Sequence, residues 1–578
     1  MGMGPGHLRN IRRDSFLAIG LALLMGIAWT VRDHGALGAL RLPDTDDLMR
    51  LQQIRDWLGG QAFTDLAQHR LGPAPGLQMH WSRLADLVPA ALILAFTPLL
   101  GGHAAGVVAV VVSPLLLFAA MLIVVAAIAR RLGQSGFVAV ILGALAFPAI
   151  TLFTPGRIDH HALQIVLVLS LLHACVGRGT LLQGAIAGTA TVLSLVVGME
   201  TAPLLAVGGA AIALRWRLDG AAGQARMAGY ATALLLGLSA AAVLFRSSGW
   251  NVAACDGFTA ILWRAAMLAA LAPAGMAVAG FATQSVAART AVLIVAGGLA
   301  LVGAAASAPA CLHPYGQVDP LLARLWLAHV NEAQPLFAMP LGKAVAAGGM
   351  ALVGLGAGIW FAWTTRTAAA WILLGFQATA VAVTLVQVRG APLAALTAVP
   401  ALAAMIAAAR PRGPLALVLA WLAASGIAHA GLGDALTPAA PASATHGCTA
   451  VATAVRLAAL PPGLVAAPID FGPTLLATTR HRVLAGPYHR DTQGNRAMYD
   501  LFLSPTPQAE ALARRWGVDY VALCKDGFAE LGDRTKDRQL LAGSLMAGQV
   551  PPWLRQISAP GASTRVYTLT QPARRTTQ

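Results

Sequence analysis

The residues best suited to chemistry are carboxylates and imidazoles at the edges of apolar runs. The stretch RLPDTDDLMRLQQIRDWL (41–58) places Asp44 and Asp46 in an Asp-x-Asp with Asp47 beside them. Adjacent carboxylates repel unless a cation neutralises them, and hard divalent ions take oxygen ligands. The same acids also suit the first turn of a helix, where negative charge is favourable. FTPGRIDHHALQ (153–164) offers Asp159, His160 and His161. That mixture of oxygen and imidazole suits Mn²⁺ or Zn²⁺ better than Ca²⁺, and a buried structural His pair is the alternative. HVNEAQPL (329–336) puts Glu332 just ahead of an apolar run, and LVQVRG (385–390) puts Arg389 at the end of one. An Arg there can neutralise a phosphate oxyanion or only snorkel to the interface.

The elements that must position these residues are membrane helices. Of 578 residues, 57% are hydrophobic and 11% charged, against about 25% charged in a soluble domain. The net charge of +16 is not a nucleic-acid signature, because the basic residues lie in short clusters between apolar runs, as in cytosolic loops. Runs long enough to span lie at about 16–31, 105–129, 136–152, 161–176, 180–197, 201–214, 228–245, 260–281, 289–307, 341–363, 368–386, 391–409 and 414–431. The chain thus reads as an α-helical polytopic membrane protein with about 13 transmembrane helices. The first run follows Arg9, Arg12 and Arg13 and reads as a retained signal-anchor.

A further apolar stretch, 85–101, is assigned to the outer membrane surface rather than to a span. With that choice Arg130, Arg131, Arg178, Arg215, Arg217, Arg226, Arg289, Arg366, Arg410 and Arg412 all face the cytosol, as the positive-inside rule requires. Every carboxylate except Asp14 and Asp219 then faces outward. The expected location is a cytoplasmic (inner) membrane, with the N-terminus cytosolic. Acids concentrated at one outer face point to an outward cation or metal site, since carboxylates near hydrocarbon are costly without a role.

Residues 1–433 form the expected transmembrane domain, with a first outer loop at 32–103, and 434–578 a small periplasmic α/β domain. ALTPAAPASATHG (435–447) reads as its linker. Strands are expected at 464–470, 482–488 and 519–524, with a helix at 507–517. Cys255 and Cys311 fall in two outward loops, and Cys448 and Cys524 in the C-terminal domain. Two disulfides follow in an oxidising compartment, with small buried thiols as the alternative.

Taken together, DTDDLMR, GRIDHH, the Glu of HVNE and the helical architecture resemble the catalytic subunit of oligosaccharyltransferases, in the GT-C superfamily of polyprenyl-linked glycosyltransferases. In archaeal and bacterial members an Asp stands six residues before an Arg in the first outer loop, as Asp44 does before Arg50. Their Asp-His-His-like block matches Asp159 and His161, their fifth-loop Glu matches Glu332, and an Arg contacting lipid-linked phosphate matches Arg389. The resemblance implies a Mg²⁺ or Mn²⁺ site from Asp44, Asp46, Asp159 and His161. It implies Asp44, Asp159 and Glu332 as catalytic, and Arg389, His80 and Arg83 as substrate-binding. The implied donor is a sugar or oligosaccharide on a polyprenyl (di)phosphate. The sequon-reading Trp-Trp-Asp-Tyr-Gly block is absent; WGVDY (516–520) shares letters only, which leaves the acceptor open among glycan, lipid and protein. A transporter or flippase using the same acids as a relay is the competing expectation.

Overall fold

Inside a bilayer, backbone polar groups are satisfied only by helices or closed barrels, and the apolar runs accordingly form helices. The computed structural model describes residues 5–312, 318–437, 450–524, 528–559, 562 and 564–570. It divides into two compact units. The first comprises Met1–Arg41, His80–Pro314 and Asn331–Pro438; the second comprises Leu42–Met79, Tyr315–Val330 and Ala439–Gln578. Residues Leu42–Met79, from the expected first outer loop, therefore belong with the C-terminal domain's unit.

In the first unit, each of the apolar runs is wholly or largely helical. Among the described residues, 8 helices are long and apolar enough to cross a membrane, or 9 counting the bent pair Pro414–Ala424 and Gly426–Leu436 as one. His161–Val176 and Leu181–Val197 are apolar but shorter. The run at 136–152 splits into the helix Gly136–Ala144 and a 3-10 turn, Ala149–Phe153, with Pro148 between them, which cannot donate to a continuing helix. The expected interfacial stretch and the span after it form one element, Leu87–Arg131, broken at Gly101 with φ of 79°, a backbone angle that favours glycine. Phe118, Phe153, Trp216 and Phe376 are fully buried in the core of this unit, whereas Leu99, Val243, Phe281 and Leu301 are exposed, as hydrocarbon permits and water penalises. The chain is an integral membrane protein.

Cys255 and Cys311 are joined by a disulfide with Cα atoms 5.3 Å apart. Cys524 is also disulfide-bonded; its expected partner Cys448 lies outside the described residues. Cys175 is free and buried. Alkylation of the denatured, unreduced protein followed by mass mapping should therefore label Cys175 alone.

Among the described residues, the second unit holds seven strands: β1 Ala67–Gln68, β2 Leu77–Gln78, β3 Leu464–Ala466, β4 Arg482–Val483, β5 Tyr520–Cys524, β6 Leu554–Gln556 and β7 Thr564–Leu569. The first two pair as a small antiparallel ladder, and the others form a five-stranded sheet of order β4-β3-β5-β7-β6. Its β4-β3-β5 part is parallel and its β5-β7-β6 part antiparallel, with Leu484, Met498, Phe502, Val521 and Tyr567 in the core. The loop segment is bound into this unit by Arg70, which donates to the Thr479, Leu476 and His481 carbonyls at 2.8, 2.7 and 3.3 Å.

One buried carboxyl makes this unit sensitive to pH. Asp491 is 2% exposed. It caps the helix Thr492–Phe502, accepting from the Gly494 N–H at 3.2 Å, while its second oxygen has no partner. Burial pushes this carboxyl up to about 8 against the weaker pull of the Gly494 and Gly486 N–H groups. The folded state thus holds a proton that the unfolded chain releases near pH 4. Stability must fall as pH rises from that value through about 8, with a slope of up to about 1.4 kcal/mol per pH unit. Asp491→Asn keeps a good cap and should flatten this dependence, read as the thermal midpoint of the full chain between pH 5 and pH 8.5.

Candidate active site

Four connections of the first unit bring charged groups to one place. The 154–160 connection ends at His160, which caps the helix His161–Val176. It turns at Gly156, whose φ is 94° and whose N–H donates to the Val110 carbonyl at 2.8 Å. Glu200 lies in the turn between the helices Leu181–Val197 and Ala202–Leu218, held by Gln164 donating to the Gly198 carbonyl and by a Ser194–Thr201 hydroxyl pair. Arg389 occupies the 3-10 turn Val388–Gly390, and Glu332 the 3-10 turn Asn331–Ala333. The Val388 N–H donating to the Gln334 carbonyl at 2.8 Å ties these last two together.

The side chains form a continuous network. Asp159 Oδ1 lies 2.6 Å from His160 Nδ1, and Asp159 Oδ2 bonds His161 Nδ1. The two imidazoles stack with centroids 4.4 Å apart. Their Nε2 atoms approach Glu200 Oε2 at 3.4 and 3.2 Å. Glu200 Oε1 is 3.5 Å from Arg389 Nη1, and Arg389 Nη2 donates to Glu332 at 3.1 Å. Asp159 is 6% exposed. Burial pushes its carboxyl up, but the imidazoles of His160 and His161 outweigh that and hold it well below its ordinary value. Glu200 behaves in the same way, with His161 the first of the opposing causes. Both acids are therefore carboxylates at neutral pH.

Beside this network opens a cavity of about 420 Å³. Phe147, Leu152, Met339 and Val388 supply apolar wall, while Arg157, Lys343 and Arg389 supply positive charge near His161 and Glu332. Glu332 and Asp434 line the same cavity, so its wall is apolar with charges of both signs.

The first unit thus assembles Asp159, His161, Glu332 and Arg389. His80 stands next to Trp81, whose ring lies 6.2 Å from that of His160, and Arg83 is buried in an ion pair with Asp86 at 3.2 Å. Asp44 and Asp46 belong to the second unit. There Asp44 caps the helix Thr45–Leu58, accepting from the Asp46 N–H at 3.2 Å, so the helix-start reading of these acids describes their local structure. Burial, then the charge of Asp44, raises the pKa of Asp470 in the same unit.

Glu200 is not among the functional residues expected from sequence, and His160, read there as a possible ligand beside Asp159 and His161, is not among those that the family resemblance implies. His160 offers a ligand atom within 4.8 Å of those of Asp159 and His161, a donor set of one oxygen and two nitrogens that fits a divalent transition metal.

Known structures share this architecture. The oligosaccharyltransferase of Archaeoglobus fulgidus in its apo form superposes with a TM-score of 0.65 at 13% identity, over 88% of this chain and 70% of that one. The archaeal oligosaccharyltransferase AglB from the same organism, in complex with an inhibitory peptide and a dolichol-phosphate, gives 0.64 at 13% identity over 97% and 75%. A form in complex with Zn and sulfate gives 0.60 at 14% identity over 84% and 64%. No protein-family profile matches the chain, and no curated protein does. At these identities the likeness is one of fold, that of the archaeal oligosaccharyltransferase.

Proposed function

We propose that this fold serves as a membrane glycosyltransferase, transferring a sugar or oligosaccharide from a polyprenyl (di)phosphate to an acceptor on the outer side of a cytoplasmic membrane. The observation that carries the reading is the Asp159–His161–Glu200–Arg389–Glu332 network, three of whose members, His161, Arg389 and Glu332, line a largely apolar cavity. In the bond exchange, the sugar C1–O bond to phosphate breaks and a bond from C1 to the acceptor forms. The departing phosphate gains negative charge, which the Arg389 guanidinium meets with paired N–H groups. Glu332 bonds one edge of that guanidinium and is about half exposed at 52%, so it is the carboxylate we assign to receive the acceptor proton. Glu200 touches both His161 and Arg389 and aligns the one with the other.

Asp159 and His161, with His160 adjoining, are the residues of this unit that would hold Mg²⁺ or Mn²⁺; the resemblance gives Asp44 and Asp46 the same role on sequence alone. When bound, such an ion acts as a Lewis acid on the leaving phosphate. His80 and Arg83 are proposed to bind substrate. The orientation proposed has the N-terminus cytosolic and the C-terminal domain periplasmic. AglB was captured with dolichol-phosphate, which supports a lipid-linked donor for this chain. In a strain lacking the gene, a polyprenyl-linked saccharide should accumulate, measured by mass spectrometry of extracted lipids. An unchanged lipid-linked pool would oppose the reading.

A further inference from the structure

The opposite end of the helical unit carries a separate concentration of charge. Arg131 ends the helix Leu87–Arg131, Arg178 follows the helix His161–Val176, and Arg226 lies early in the helix Gly220–Leu244. The guanidiniums of Arg131 and Arg226 bond the C-terminal end of His161–Val176, and Arg178 follows that end in the chain. Arg131 Nη1 donates to the His173 carbonyl at 2.6 Å and to Gln183 Oε1 at 2.8 Å. Arg226 donates to the Cys175 carbonyl at 3.1 Å and to the Gly177 carbonyl. The charges of Arg226 and Arg178 both act on Arg131. Gly177 makes room for the group: a Cβ there would fall 1.8 Å from Arg131 Nη1.

Carbonyls at a helix end accept these bonds, but the helix dipole offers only about half a negative charge against three whole positive ones. Neighbouring arginines are neutralised conventionally, Arg130 by Asp14 and Arg215 by Asp219. Among the described residues, no carboxylate pairs with Arg131, Arg178 or Arg226. Arg226 is fully buried and its Nε has no hydrogen-bond partner; the carboxylate of Asp219, whose charge acts on it, is already paired with Arg215, so the buried cation stays costly. Arg178 is exposed, so an anion from outside can reach the group. Leu181 and Leu182 close by are 62% and 66% exposed, an apolar surface of the kind an acyl chain covers.

We propose that Arg178 and Arg131, backed by the buried charge of Arg226, bind a phosphate-bearing anion, the headgroup of an anionic phospholipid whose chains lie along Leu181 and Leu182. The site is remote from the catalytic network, since the helix between them is about 24 Å long. Basic recesses between helix ends are a general way of holding acidic headgroups.

The test uses the full-length protein in nanodiscs of pure phosphatidylcholine or with added phosphatidylglycerol, comparing wild type, Arg178→Gln and Arg131→Gln/Arg178→Gln. Arg178 is a surface residue, so its variant folds even if the double one does not. Wild type should retain phosphatidylglycerol through purification and melt higher in its presence. Each charge removed should lower retention roughly fivefold, while Arg410→Gln, an exposed charge at the same end, leaves it unchanged. Adding inorganic phosphate to phosphatidylcholine discs separates the two sources. Stabilisation equal to that by phosphatidylglycerol, and lost in Arg178→Gln, supports the site but assigns it to soluble phosphate. Retention and melting that are the same in wild type and Arg178→Gln would overturn the proposal.

Discussion

Asp159→Asn should lower sugar transfer by about 100-fold or more while expression and membrane insertion stay near wild type. The substitution keeps the shape of the side chain but removes its charge. It also replaces one of two acceptor oxygens with an N–H₂ facing an imidazole, at a carboxylate bonded to both His160 and His161. The ionised carboxylate accepts from both imidazoles and so fixes their orientation. Its loss therefore disarranges His161 as well as any ion held there. Asp533 is the control: it is 91% exposed and meets only Lys536, so Asp533→Asn should leave transfer unchanged. Equal activity in both variants would make the Asp159 cluster a structural feature of the loop.

Arg389→Ala should cost roughly 100- to 1000-fold in kcat, the range found when one group stabilising developing charge is removed. Arg389→Lys should recover only part of this, because an ammonium cannot present two parallel N–H groups to a phosphate. The loss should appear in kcat more than in KM, since the charge Arg389 meets develops as the phosphate leaves. Arg389 also holds Glu200 and Glu332 apart at its two ends. Glu200→Gln, which keeps the size and weakens only the ionic link, should give a smaller defect of the same kind. A change confined to KM in Arg389→Ala would assign the residue to ground-state binding alone.

Much of this was legible in the sequence because the relevant residues are chemically conspicuous. An Asp, two His, a Glu and an Arg at the rims of apolar runs stand out against a composition with 11% charge. Glu200 was not legible in the same way. It sits in Met-Glu-Thr between two helices, with no motif around it, and reaches His160, His161 and Arg389 only because helices distant in sequence pack together. His160 was visible as a candidate ligand beside Asp159 and His161, but not its geometry: the helix start after His160 turns both rings onto Asp159.

The fold shows the same division. Hydrophobic runs revealed the helices, but length alone did not reveal the break at Gly101 or the 75° bend between Pro414–Ala424 and Gly426–Leu436. In the second unit β3, β4 and β5 were marked by apolar residues. The antiparallel strands β6 and β7 carry Arg555, Gln556, Arg565 and Thr568, so their alternation is weak and their pairing is set by the sheet they join. The membership of residues 42–79 in that unit rests on long-range bonds such as those of Arg70, which no local pattern encodes.

The most direct test is transfer of a labelled sugar from a polyprenyl-linked donor by the purified protein in lipid vesicles, before and after exhaustive chelation. Lysate from an overproducing strain serves as the source of acceptor. Transfer should require the protein, fall to background on chelation, return with Mn²⁺ or Mg²⁺, and fail to return in Asp159→Asn. Full transfer after chelation, undiminished in Asp159→Asn, would contradict the account at its centre.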